Sequence, residues 1–214
     1  MKTKFHTLAV GVTGGLGSGK SAVCKFFESI GAQVLSADLI ARDLMNSQAD
    51  IRRQLKKTFG EKIYLLDGTI DRKHLAKLAF HENNLHEKLN QIVHPYVLDA
   101  IGQEIARQKE AGRSSLLLVE AALIFEAHAD ELFDYVLVVD ADEEVRVRRV
   151  MTRDGSHRDE VLARIKAQMP VKDKVTMADF VILNSGGEVA LKKKCTFMYD
   201  LLVRIAQTES AKTD

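Results

Sequence analysis

The sequence predicts an α/β fold, a five-stranded parallel sheet with helices on both faces, and three observations carry that prediction. Short apolar runs of strand length recur five times along the 214 residues, separated by stretches of helical pattern. Such alternation returns each strand to one sheet through a helical crossover, which imposes parallel pairing. Directly after the first run comes Gly14-Gly15-Leu16-Gly17-Ser18-Gly19-Lys20-Ser21, which satisfies G-x-x-x-x-G-K-[ST] between a predicted strand and a predicted helix. With 46% hydrophobic residues the chain can bury a substantial core, so a single domain over residues 1–214, with insertions, is expected.

Leu8 to Val12 is the first strand. The glycines after it clear side chains from a loop whose backbone N–H groups can close around a phosphate. A helix predicted from Gly19 to Ile30 adds unpaired N–H groups and the positive end of its dipole. Lys20 would reach the β- and γ-phosphates, and the Ser21 hydroxyl would ligate Mg²⁺. Gly15, Leu16, Gly17, Ser18, Gly19, Lys20 and Ser21 are therefore the expected binding set for ATP or GTP. The plain alternative is a glycine-rich turn with an exposed lysine. Chance would produce the bare pattern in a chain of this length with a probability on the order of one percent, so a phosphate-binding loop is the expectation.

Gln33 to Leu35 is the second strand, and Ser36-Ala37-Asp38 stands at its carboxyl end, the edge where open α/β sheets hold ligands. Asp38 there can orient a hydroxyl and accept its proton. It can equally be the N-cap of a helix from Leu39 to Met45, and the two roles are compatible. From about 62 to 112 no strong strand occurs. Helical pattern instead runs from Arg72 to Phe80, capped by Asp71, then from Asn84 to Val93, then from Pro95 to Ala111 with Pro95 in a first turn. This insertion is suited to form one wall of a cleft.

Ser115 to Val119 is the third strand. Glu120 closes it, either as a Mg²⁺ carboxylate or as a group that satisfies the strand end. Tyr135 to Val139 and Asp179 to Leu183 complete the five. Between those last two, about 149–175 is a charged stretch with Asp154-Gly155 as a turn signal. On a continuous helix Arg146, Arg149 and Arg153 share one face, and Arg158 follows past the turn. Such a face can close over a transferring phosphoryl group, whose oxygens carry negative charge. In the other reading it is a solvated face whose arginines pair with Glu143 and Glu144.

Composition narrows the partners. Thirty-one Lys and Arg against thirty Asp and Glu give a net charge of +1, so no overall field favours nucleic acid or membrane. Cys24 and Cys195 lack metal-like spacing, and Cys24 reads as a core residue. Met1-Lys2-Thr3-Lys4 runs straight into the first strand, and no stretch approaches a membrane span, so a cytosolic protein is expected. His6, His74, His81, His86, His128 and His157 form no ligand or triad spacing, and Lys192-Lys193-Lys194 reads as a solvated helix face. A guanine-reading Asn-Lys-x-Asp motif is absent, and the D-x-x-G match at Asp99 to Gly102 lies in a predicted helix, which argues against a GTPase switch.

Several strings taken together resemble the dephospho-CoA kinase family: Thr13 to Ser21, S-A-D-L-I-A-R at Ser36 to Arg42, V-H-P at Val93 to Pro95, and E-A-A-L-I-F-E at Glu120 to Glu126. The arginine-rich string from Val145 to Asp154, A-Q-M at Ala167 to Met169, and A-D-F-V-I-L-N-S-G at Ala178 to Gly186 extend the resemblance over nearly the whole chain. It implies a P-loop nucleotide-kinase-like three-layer fold with a helical acceptor-side region and a mobile lid. The implied reaction moves the γ-phosphate of ATP to the ribose 3′-hydroxyl of dephospho-CoA with Mg²⁺ as cofactor. By that resemblance Asp38 matches the general base, with Arg42 on the acceptor side. His94 and Pro95 match a motif near the acceptor, and Leu123 and Glu126 a substrate-pocket segment. Arg149 and Arg153 match lid arginines, and Asn184 a position beside the adenine. Two departures stand out: Ser36 replaces an aspartate common in the family, and Ala122 replaces a proline. Another P-loop nucleotide or small-molecule kinase is the alternative reading, and a non-catalytic nucleotide switch is a further one.

Overall fold

A computed structural model describes residues 5–81 and 85–213. Five strands, β1 (Leu8–Thr13), β2 (Gln33–Ser36), β3 (Leu116–Glu120), β4 (Tyr135–Asp140) and β5 (Phe180–Leu183), form one sheet in the order β2-β3-β1-β4-β5 with every pair parallel. The helices are α1 (Lys20–Ser29), α2 (Ala37–Ser47), α3 (Ala49–Phe59), α4 (Arg72–His81), α5 (Leu85–Ala111), α6 (Glu143–Asp154), α7 (Arg158–Lys166), α8 (Val171–Met177) and α9 (Glu188–Thr213). Each predicted strand is present, displaced by no more than one residue at either end. No described helix is long and apolar enough to cross a membrane.

The chain divides into two compact units, Met1–Ser36 with Glu104–Asp214, and Ala37–Gln103. The first holds the sheet. β1 lies at its centre and is buried along its whole length, as a parallel strand covered on both faces must be. Its alternate residues Leu8, Val10 and Val12 join Leu116, Leu118, Leu137 and Val139 in a core completed by Cys24 and Phe27 of α1 and by Cys195, Met198 and Leu202 of α9. Burying a side chain such as Phe27 is worth about 1.5–3 kcal/mol. Gly11 points to the other face, where an added Cβ would lie 2.6 Å from the Phe133 ring. The register pairs Glu120 with Val12 and Ser36, so parallel strands end together and present one carboxyl edge.

In the second unit α3 packs on α2 and on a 3₁₀ turn at Glu61–Ile63, and α4 packs on the same turn. Ile51, Leu55 and Phe59 recur every fourth residue along α3 and are buried. An isolated antiparallel bridge joins Tyr64 to Ile70. Tyr64 donates its hydroxyl to the Met45 carbonyl (2.8 Å) and carries the Arg52 guanidinium 4.3 Å above its ring.

Two expectations fail here. The helices expected from Asn84 to Val93 and from Pro95 to Ala111 are one helix, α5, with Pro95 inside it; Asn84, like Met1 to Lys4, lies outside the described residues. Pro95 removes one N–H donor and crowds the carbonyl four residues back. The buried row Val93, Val97, Ile101 and Ile105, at helical spacing, carries the helix through that defect. Asp38 is also no N-cap, because β2 passes directly into α2 at Ala37 and leaves Asp38 within the first turn of the helix.

Candidate active site

The glycine loop spans the gap between β1 and α1 at the carboxyl edge of the sheet. Gly19, with φ 97°, stands at the start of α1, and Gly17 has φ 78°, a left-handed conformation that side-chain-bearing residues avoid. A Cβ on Gly17 would lie 2.5 Å from the Arg146 carbonyl oxygen, and one on Gly19 would collide with the Asn184 amide. The loop can therefore touch α6 and the end of β5 only as glycine. No side chain caps α1, so its first N–H groups remain directed at whatever the loop holds.

Lys20 folds over the loop, its Nζ donating to the carbonyls of Gly14 (3.0 Å) and Gly15 (3.2 Å). One residue on, Ser21 Oγ donates to Glu120 Oε1 at 2.6 Å, joining the start of α1 to the end of β3. Ser18 is fully buried; its carbonyl accepts from Asn184 Nδ2 (2.8 Å) and Arg149 Nη1 (3.4 Å), and its hydroxyl has no partner among the described residues. Asn184 is anchored by its own N–H, which donates to the Asp140 carbonyl at 2.6 Å. Burial, and next to it the Glu120 charge, push the Cys24 thiol beneath the loop far above its usual range.

α6 runs unbroken to Asp154 and ends on Gly155, so the arginine face exists as expected. Its members do different things. Arg146 is buried against the loop, donating to the Ala141 carbonyl (3.0 Å) and lying 3.8 Å from Glu143. Arg149 reaches the Ser18 carbonyl, whereas Arg153 binds Asp154 at 2.7 Å and Arg158 binds Glu144. Asp154 also accepts from Arg164 (2.9 Å), and those two guanidiniums, Arg153 first, hold its carboxyl well below the usual carboxylate range. Arg158 thus pairs with Glu144, as the second reading expects of its arginines, and Arg149 is the member that donates to the loop.

Two groups of the site carry no assignment from the sequence. Gln168 Oε1 accepts the Leu16 N–H at 3.1 Å. Lys174, fully buried on α8, donates to the Ala122 carbonyl (2.8 Å) and pairs with Glu126 (2.8 Å). Glu126 in turn accepts the Met169 N–H, and Leu123 is half-buried with its carbonyl accepting from Ala127. Gln168 lies inside the A-Q-M string; nothing in Val171-Lys172-Asp173-Lys174 marks which lysine is interior. Beside Gly15 opens a cavity of about 710 Å³, lined by Asp140, Asp142, Arg146, Gln168 and Lys172 among others.

The structure thus gathers Lys20, Ser21, Glu120, Arg149 and Asn184 around one loop. Arg153 points instead to the α6–α7 joint. Asp38, Arg42, His94 and Pro95 belong to the second unit, where Arg42 pairs with Asp43 (3.1 Å) on α2 and His94 and Pro95 lie on α5. Among the described residues no three His, Cys, Asp or Glu side chains cluster as a metal site. Ser21 and Glu120 offer two hard oxygens, which suits Mg²⁺, an ion that takes one or two protein ligands and completes its octahedron with water and phosphate.

A family model described as dephospho-CoA kinase matches residues 8–189. A dephospho-CoA kinase of Salinibacter ruber is 42% identical over 191 residues, 89% of this chain and 95% of that one. One from Carboxydothermus hydrogenoformans is 41% identical over 177 residues, 83% of this chain and 85% of its own. The solved structure of a dephospho-CoA kinase from Campylobacter jejuni is similar with a TM-score of 0.69 at 25% identity, covering 94% of this chain and 98% of that one.

Proposed function

The chain belongs to the dephospho-CoA kinase family, and from that membership we propose that it transfers the γ-phosphate of ATP to the ribose 3′-hydroxyl of dephospho-CoA, giving coenzyme A and ADP. The single observation that carries the reading on this chain is the loop itself. Residues Gly14 to Ser21 enter an uncapped α1 with Lys20 above them and Ser21 held 2.6 Å from Glu120.

In this reading the amides from Gly15 to Ser21 and the α1 dipole hold the triphosphate. Lys20 exchanges its two carbonyl partners for β- and γ-oxygens, which are the stronger acceptors because they are charged. Arg149 turns from the Ser18 carbonyl to the transferring group. Ser21 and Glu120 would hold Mg²⁺, which when bound neutralises charge between the β- and γ-phosphates. Asn184 keeps the adenine side of the loop in place through Ser18. On the acceptor side Asp38 orients the hydroxyl and takes its proton, with Arg42, His94, Pro95 and Leu123 around the substrate and Glu126 in the same turn as Leu123. Arg153 belongs to a lid over about 149–175, whose closure excludes water as a competing acceptor.

Identification of the product tests this reading. Phosphorus NMR of a reaction with ATP, Mg²⁺ and dephospho-CoA should show a new monoester on the ribose 3′-oxygen and one ADP per product. A monoester elsewhere, or none, would overturn the assignment.

A further inference from the structure

Lys174 is the one described lysine or arginine with no exposure at all, and a lysine is seldom placed there without purpose, because desolvating its ammonium costs several kcal/mol. Its bonds lie in a closed ring. Thr13, the last residue of β1, donates its hydroxyl to the Ala122 carbonyl at 3.1 Å, and Lys174 Nζ donates to the same carbonyl at 2.8 Å. Lys174 also pairs with Glu126, Glu126 accepts the Met169 N–H at 3.2 Å, and Gln168, the next residue back, accepts the Leu16 N–H in the loop. The path begins on β1 at the root of the phosphate loop and ends on Leu16 within it. On the way it fastens the Ala122–Glu126 turn and the segment between α7 and α8.

We propose that Lys174 is a positioning residue for the acceptor: paired with Glu126, it fixes the Ala122–Glu126 turn against the root of the phosphate loop. Glu126 accordingly serves through Lys174 rather than by touching the substrate. The Lys174 bond to the Ala122 carbonyl holds the head of that turn and its pairing with Glu126 holds the other end. The inference rests on the acceptor-side reading of Leu123 given above.

Two measurements on the full-length protein test it, with Lys174→Met, Glu126→Gln, the double variant and Lys174→Arg. Lys174→Met should raise the KM for dephospho-CoA at least about tenfold while the Kd of a fluorescent ATP analogue with Mg²⁺, measured without acceptor, stays within about twofold. Lys174→Arg should return KM to within about threefold, and the double variant, neutral at both positions and therefore expected to fold, should be no worse than Lys174→Met, as for two groups acting as a unit. A fall in kcat with KM unchanged, or an equal loss of ATP and acceptor affinity, would mean a merely structural lysine and would overturn the proposal. Hydrogen exchange separates this from failure of the functional reading: in Lys174→Met, peptides covering 121–127 and 167–170 should exchange at least about tenfold faster with the sheet unaltered. If the unmodified protein does not phosphorylate dephospho-CoA, that acceleration still supports Lys174 as the residue that fixes the Ala122–Glu126 turn, its absence refutes that, and the acceptor role falls with the functional reading.

Discussion

At the scale of single residues, the loop chemistry was readable because phosphate binding demands particular residue types at fixed spacing. Lys20 donates to two neutral carbonyls, at 3.0 and 3.2 Å, which a charged phosphate oxygen outcompetes. Lys20→Ala should therefore lower the transfer rate by about 100-fold or more with every acceptor, and a near-normal steady-state rate would remove it from the phosphate site. Asp38→Asn should keep ATP affinity while kcat falls by about 10²- to 10⁴-fold, the usual worth of a positioned base; unchanged turnover would leave Asp38 a helix residue and nothing more. Both cysteines lie in the core, and burial pushes the Cys195 thiol up to about 11 and Cys24 further. At pH 8 neither should react with a disulfide reagent in the native protein and both should react in guanidinium. A thiol titrating promptly under native conditions would contradict the packing of α1 on α9. Lys174 and Gln168 stayed invisible in the sequence because their importance comes from tertiary partners, Glu126, Ala122 and Leu16, that local pattern does not specify.

At the scale of elements, the strands were legible and the helix ends were not. Buried parallel strands write themselves as continuous apolar runs, and all five were found within a residue. The division of α5 at Pro95 was read from local rules, whereas burial of Val93, Val97, Ile101 and Ile105 decides the matter in favour of one helix. α3 carries its own signal in Ile51, Leu55 and Phe59, spaced by four. The joint between α6 and α7 makes a prediction of its own. Asp154 titrates lower in the folded protein than its ordinary value, so its bonds to Arg153 and Arg164 add stability above that ordinary value and lose it as pH falls toward the folded one. The Tm of Asp154→Asn should lie about 2 °C below that of the unmodified protein at pH 7, with the gap holding down to the ordinary carboxylate range near pH 4 and narrowing only as pH falls below it. A gap that persists or widens below that range, measured by calorimetry, would refute the pairing.

At the scale of the whole molecule, the order β2-β3-β1-β4-β5 puts the loop-bearing strand at the centre and the ends of β1 and β3 side by side, so that Ser21 meets Glu120. That much of the site follows from topology and was foreseeable once the strands were assigned. Asp38 was readable from its place at the carboxyl end of β2, whereas Arg42, His94 and Pro95 came from resemblance alone, since no spacing rule ties a turn of α2 to a turn of α5. The central claim is therefore one of acceptor identity, and it is tested by initial rates of ADP release from ATP and Mg²⁺ with dephospho-CoA, with nucleoside monophosphates, and with no acceptor. The account predicts release with dephospho-CoA at least about 10³-fold above the others, with coenzyme A as product. Release only with a monophosphate would keep the loop and reassign the acceptor, and no release with any acceptor would contradict the claim outright.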